Sequence, residues 1–145
     1  MVQVQAAART GNATTLDVRF VAGESYEFVV RGHRLLVDQP VEAGGGDEAP
    51  TPTELFVASL ASCVAFYAGR YLSRHRLSRD GLGVSATFRM AADKAARVAE
   101  VQLTVRVPPD FPEARRQALL AVVSHCTVHN SLASPPAVSI DLATP

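Results

Sequence analysis

The 145-residue chain has no excess of either charge: fourteen lysines and arginines balance fourteen aspartates and glutamates, with no long block of one sign. That removes the electrostatic footprint of a nucleic-acid binder, so no nucleic-acid partner is expected. Cysteine is scarce. Cys63 and Cys126 are too few for a disulfide framework, and they lack the close spacing of a metal-binding pair. No apolar core followed by a cleavage site opens the chain, which leaves a cytoplasmic location as the expectation. In a reducing compartment a stable structural bridge is disfavoured, whereas a transient or catalytic one is permitted. The longest apolar stretch is broken by serines before it reaches bilayer length, so no membrane partner is expected. Repeats and linkers are also lacking, and the length suits one domain, residues 1–145, with enough chain to bury a core. The triple glycine at 44–46 has no GKS/T or GxGxxG context, and Asp47 and Glu48 beside it would repel an anion. It is expected to be a loop, not a phosphate cradle.

What the chain does have is hydrophobic residues, 48% of the total, and one stretch that concentrates them. Residues 51–75 predict a single long helix. Thr51 precedes Pro52 and stands three residues ahead of Glu54, which together form a capping box with proline at the first helical position. Leu55, Phe56, Leu60, Val64, Phe66, Tyr67, Tyr71 and Leu72 leave almost no polar stripe before Arg70 and Arg74. A helix apolar nearly all round belongs in a core, an interface or a membrane, and here a central buried helix is expected. Cys63 lies at its middle.

Around this helix the pattern is that of strands. Stretches 2–9 and 15–21 are separated by the turn signal Gly11-Asn12, and 25–31 alternates. Gly32-His33 suits a tight turn into a strand at 34–38. After the helix, 84–90 alternates with Val84, Ala86, Phe88 and Met90 inward. Residues 98–107 repeat the pattern with Val101, Leu103, Val105 and Val107 on one face. A second helix is expected from about 111 to 129, ended by Asn130, with Leu119, Val122, Val123 and Cys126 on its buried stripe. A last strand is expected at 137–142. The order predicts an α+β fold with antiparallel sheet.

Each thiol is thus expected within or at the end of a helix, where the helix dipole would not lower its pKa. Both could simply be small buried hydrophobes, since free cysteine is among the most buried residue types. His129, three residues after Cys126, is better placed than His125 to face that thiol. The pair has half the spacing of a metal site, but no second pair completes it, and no metal is expected.

Two segments carry a family resemblance. Pro52-Thr53-Glu54-Leu55-Phe56 followed by Ser62-Cys63 on a buried helix resembles the first cysteine motif of the OsmC/Ohr family. His125-Cys126-Thr127-Val128-His129-Asn130-Ser131-Leu132 resembles its second. With the glycine-rich loop and the strand order, the resemblance covers most of the chain. It implies an OsmC-like fold, with antiparallel sheets wrapped around the central helix in an intertwined homodimer, and active sites at the subunit interface. It implies a peroxidatic Cys63, a resolving Cys126, an organic hydroperoxide as substrate, and a dithiol reductant, lipoyl-linked or of low molecular weight. No cofactor is implied. A thiolate is the nucleophile in such chemistry, and a nearby resolving thiol prevents over-oxidation.

The sequence departs from the organic hydroperoxide reductases at two places. Their glutamate directly follows the helix-start proline, whereas here Thr53 stands there and Glu54 comes one place later. Glu54 is either a secondary organiser of the site or only a helix cap. Their arginine in the N-terminal meander is replaced by the turn Ala22-Gly23-Glu24-Ser25, with Arg19 and Arg31 as the nearest substitutes. These departures place the chain outside the main reductase branch. They keep open an alternative function, a non-peroxidatic protein binding a small apolar or thiol-reactive ligand in the dimer cleft.

Overall fold

A computed structural model describes residues 11–144, and most of the predicted strands form where the alternation places them. The strand expected at 2–9 lies outside the described residues. The chain divides into two units, one ending at Pro52 and the other beginning at Thr53.

The first unit is an antiparallel meander of β1 (Asp17–Ala22), β2 (Ser25–Val30) and β3 (His33–Val37). Its register stacks Val18, Phe28 and Leu35 in one row, and Phe20, Tyr26 and Val37 in the next, which makes one face apolar. On the opposite face Glu27 sits between Arg19, 2.6 Å away, and Arg34, 3.2 Å away. Both guanidiniums hold the Glu27 carboxyl below its usual range, Arg19 more strongly. The β2–β3 turn falls on Arg31 and Gly32, at φ 49° and 80°, one residue earlier than expected. Two left-handed residues in a row match the twist of the strands they join.

The meander leads into a loop organised by Asp38, whose side chain is almost completely buried. Its carboxylate accepts hydrogen bonds from the backbone amides of Gln39 (2.8 Å), Gly46 (3.1 Å) and Glu48 (3.1 Å). A short 3-10 turn, Val41–Ala43, lies within this loop. At Gly45 the backbone passes so close to Gln39 that a Cβ would stand 1.9 Å from its carbonyl oxygen, so only glycine fits. The triple glycine therefore lets the loop close around a carboxylate.

The second unit contains α1 (Pro52–Arg74), the antiparallel hairpin β4 (Gly83–Met90) and β5 (Val98–Arg106), then α2 (Arg116–Val123) and α3 (Thr127–Ala133). Helix α1 matches the expected span to within one residue at each end. By length and composition it could cross a membrane, contrary to the expectation from its serines. Its packing is that of a core helix. Val57, Leu60, Val64, Ala68, Tyr71 and Leu72 form a buried stripe at three- and four-residue spacing, joined by Leu119, Val123 and Cys126. Only this stripe is buried within the chain, because Phe56 and Phe66 remain exposed.

Three expectations are corrected. On β4 only Val84 turns into the core, while Ala86, Phe88 and Met90 are exposed in the single chain. Residues 137–142 form no strand, and Val138, Ile140 and Leu142 project outward without a covering face. The helix expected over 111–129 is broken. A 3-10 turn, Glu113–Arg115, precedes α2, which stops at Val123. The amide of His125 turns back to the Val122 carbonyl (3.2 Å), and Cys126 is extended at ψ 156° before α3 begins. Asn130 is therefore inside α3, where its side-chain amide donates to the His125 carbonyl at 3.1 Å and braces the break.

Candidate active site

The break sets the position of the second thiol. Cys126 is the N-cap of α3, and its sulfur accepts a hydrogen bond from the His129 amide at 3.4 Å. This corrects the expectation that neither thiol sits at a helix start. An N-cap side chain satisfies one of the amides that the first turn of a helix leaves without a partner. Sequence periodicity missed it because a cap at 126 falls on the same three-and-four stripe as Leu119, Val122 and Val123. The contribution of His129 is thus its backbone amide. The His125 ring donates from Nδ1 to the Ala121 carbonyl, 2.8 Å away, which turns it along α2.

Cys63 comes from the opposite side. It lies on α1, three residues beyond Leu60 and four before Tyr67, at the edge of the buried stripe. Cys126 is fully buried and Cys63 only partly, so solvent reaches the pair from the Cys63 side. The two thiols are neighbours, close enough for Cys63 to influence the ionisation of Cys126. Burial is the largest influence on Cys126 and raises its pKa above the ordinary 9.0, with nearby Cys63 adding to the rise. The amides of His129 and Val128 oppose it without reversing it. At neutral pH Cys126 is therefore a protonated thiol in the neighbourhood of Cys63.

A hydrogen bond between the Tyr67 hydroxyl and Thr127 Oγ1, 3.0 Å long, ties α1 to the first residue of α3. Neither residue stood out in the sequence as part of the site. Beside the thiols, a cleft of about 330 Å³ runs between α1, β5 and α2, with Leu60, Val64, Leu103, Val105 and Val123 among its walls and His129 at its edge. Its lining is mostly aliphatic.

Glu54 is not brought to this pair along the helix. Nine residues separate it from Cys63, which corresponds to about 13 Å of axial rise and half a turn out of phase. It occupies the first turn of α1. Of the substitute arginines, Arg19 is engaged with Glu27 and Arg31 lies in a tight turn. Among the described residues no cluster of histidine, cysteine and carboxylate side chains could hold a metal.

The family model described as OsmC-like protein matches residues 44–141, which include both cysteines. Among curated proteins none matches the chain. A solved structure from Psychrobacter arcticus 273-4, named for osmotic stress induction and the detoxification response, has 25% identity. It covers 86% of this chain and 91% of its own, with a TM-score of 0.75. The organic hydroperoxide resistance protein OsmC of Legionella pneumophila, at 19% identity, covers 86% and 91% with a TM-score of 0.65. A Vibrio cholerae protein assigned to organic hydroperoxide resistance, with captopril in one of its active sites, covers 88% and 90% at 16% identity and TM-score 0.66. The last two establish likeness of fold.

Proposed function

This chain belongs to the OsmC-like family, and from that premise we propose that it is a thiol-dependent peroxidase reducing organic hydroperoxides. The observation that carries the reading is the pairing of a partly exposed Cys63 with a fully buried, protonated Cys126 near enough to feel it. The Cys63 thiolate attacks the distal peroxide oxygen of ROOH. The O–O bond breaks, ROH leaves after taking up a proton, and Cys63 becomes a sulfenic acid. The Cys126 sulfur then attacks the sulfenic sulfur, its proton leaves with the hydroxyl as water, and a Cys63–Cys126 disulfide forms. A dithiol reductant, lipoyl-type or of low molecular weight, reopens it by exchange and is itself oxidised to a disulfide.

The aliphatic cleft beside the thiols favours an organic hydroperoxide over hydrogen peroxide, since removing apolar area from water contributes roughly 25 cal/mol per Å². Glu54 acts indirectly, by organising the first turn of α1. The functional unit is an intertwined homodimer. Phe56 and Phe66 on α1, Phe88 and Met90 on β4, and the outward Val138, Ile140 and Leu142 supply apolar surface for a second copy to cover. The protein works in the cytoplasm, where reduced thiols are maintained.

One observation favours a second reading, a non-peroxidatic protein that binds a small apolar or thiol-reactive molecule. Arg19, a substitute for the reductases' activating cation, is bound to Glu27 instead of being left for a thiolate. Thiol counting with intact mass separates the two. Reduced protein receives one equivalent of cumene hydroperoxide or of hydrogen peroxide. The peroxidase loses both thiols and two protons, faster with the organic oxidant; Cys126→Ser accumulates sulfenic acid and Cys63→Ser does not. Thiols that stay reduced through the experiment would overturn the peroxidase.

A further inference from the structure

A second cavity, about 410 Å³, opens on α1 one turn beyond Cys63 and has a different chemistry from the aliphatic cleft. Its walls are Tyr67, Arg70, Tyr71, Arg74 and His75 from α1, with His125 and Val122 from α2. Arg70 and Arg74 are one turn apart on the same helix face, where side chains are about 5–6 Å apart at Cβ. Among the described residues neither guanidinium has a carboxylate partner. Arg70 instead lies over the Phe66 ring, 5.6 Å from its centroid. No aspartate or glutamate lines the cavity. Arg115 donates to His75 Nδ1 at 2.9 Å, adding a third guanidinium beside the wall and fixing the imidazole against the Tyr71 ring, centroids 4.3 Å apart.

We propose that this cavity is a binding site for a small aromatic carboxylate, separate from the thiol pair. The carboxylate meets Arg70 and Arg74, because guanidinium forks match carboxylates in shape and charge. The ring fills the space between the tyrosines, His125 and Val122. An inorganic anion satisfies the arginines but leaves those ring faces unfilled, and an uncharged ring leaves two guanidiniums without a counter-ion. The volume lies within the range of small-molecule pockets, roughly 300–1,000 Å³. Tyr67 belongs both to this wall and to the bond with Thr127, the residue after Cys126, so the ligand sits beside the thiol pair without contacting it.

Isothermal titration of the whole reduced protein with 2-naphthoate, 2-naphthamide and inorganic phosphate tests the proposal. Naphthoate is expected to bind at least about tenfold more tightly than the amide, as charge-assisted hydrogen bonds require, and phosphate more weakly still. Arg70→Gln/Arg74→Gln is expected to lose about tenfold in naphthoate affinity while its circular dichroism stays unchanged. Arg70→Lys/Arg74→Lys retains part of the affinity, because charge remains without the fork. Cys63→Ser is expected to bind as the parent does. Equal affinity for acid and amide, no effect of the double glutamine variant, tighter binding of phosphate, or loss of binding in Cys63→Ser would each overturn it. So would the absence of naphthoate binding.

Discussion

The Tyr67 hydroxyl lies 3.0 Å from Thr127 Oγ1, and this one contact joins the helix that carries Cys63 to the helix that Cys126 caps. Each partner is close in sequence to a thiol: Tyr67 is one turn after Cys63 and Thr127 immediately follows Cys126. The bond thus braces the two thiol-bearing segments against each other. Tyr67→Phe is expected to cost about 1 kcal/mol of stability, the usual net worth of such a bond. On the peroxidase reading its clearer effect is kinetic. Sulfenic acid forms at Cys63 at the parental rate, but closure to the disulfide slows. Stopped-flow oxidation followed by trapping with a sulfenic-acid reagent separates the two steps.

Cys126 carries its own pH signature. Its pKa is raised in the folded protein, so the native state holds that proton more tightly than the unfolded chain does. Its contribution to stability is complete below the ordinary value of 9.0 and is lost as pH rises through the higher folded value. Urea unfolding of the reduced protein between pH 7 and 10 is expected to show a decline in stability as the pH rises past about 9. Cys126→Ala should flatten that decline. A parent and variant with the same alkaline slope would show that the thiol is not held in its protonated form by the fold.

The carboxylate of Asp38 has the opposite sign. Amides of Glu48 and Gln39, with that of Gly46 and the Ser25 side chain, lower its pKa from the ordinary 3.8 against the effect of burial. Its contribution is present above the unfolded value and disappears as pH falls through the folded one. Asp38→Asn keeps the shape but loses the charge that three amides share, so it should unfold at lower temperature at pH 7. The difference from the parent should shrink as the pH approaches 2.

How far the sequence could be read depended on whether a pattern was local. The ends of α1 were legible because Thr51-Pro52 marks a start and the apolar run marks a core. The rows of the β1–β2–β3 meander followed from alternation. Alternation also put Phe88 and Met90 on one face of β4. It says that such a face is to be covered, not by what, and within one chain these remain open. The break before α3 was hidden because Cys126 continues the helical stripe while its backbone leaves the helix. Asp38 was missed as a buried group because its burial comes from a loop folding back, which no period records. The Tyr67–Thr127 contact joins residues sixty positions apart.

Leu72 provides a test of the core itself. It is fully buried at the C-terminal part of the α1 stripe and belongs to the cluster with Leu119, Val123 and Cys126. Leu72→Ala is expected to cost about 2–5 kcal/mol by lost transfer energy and the cavity it leaves. Denaturant unfolding checks the size. Because Cys63 lies more than two turns away on the same helix, the initial sulfenic-acid step should survive in the fraction that remains folded.

Phe66 distinguishes a face that is merely exposed from one that is shared. It is 59% exposed in the single chain, although it sits on a long apolar helix, where its ring meets Tyr67 edge-on and lies under the Arg70 guanidinium. A solvent-facing position tolerates a charge with little change in stability, usually within about 0.5 kcal/mol. A position at the centre of a homodimer does not, because a carboxylate there is desolvated without a partner. Phe66→Glu is therefore expected to convert a dimer to monomer in sedimentation velocity, with oxidation of the thiols slowed if the second copy helps close the site. A variant that sediments like the parent, with unchanged stability, would place the dimer contact elsewhere. The exposed apolar residues of β4 and the 137–142 segment would then be the next positions to charge.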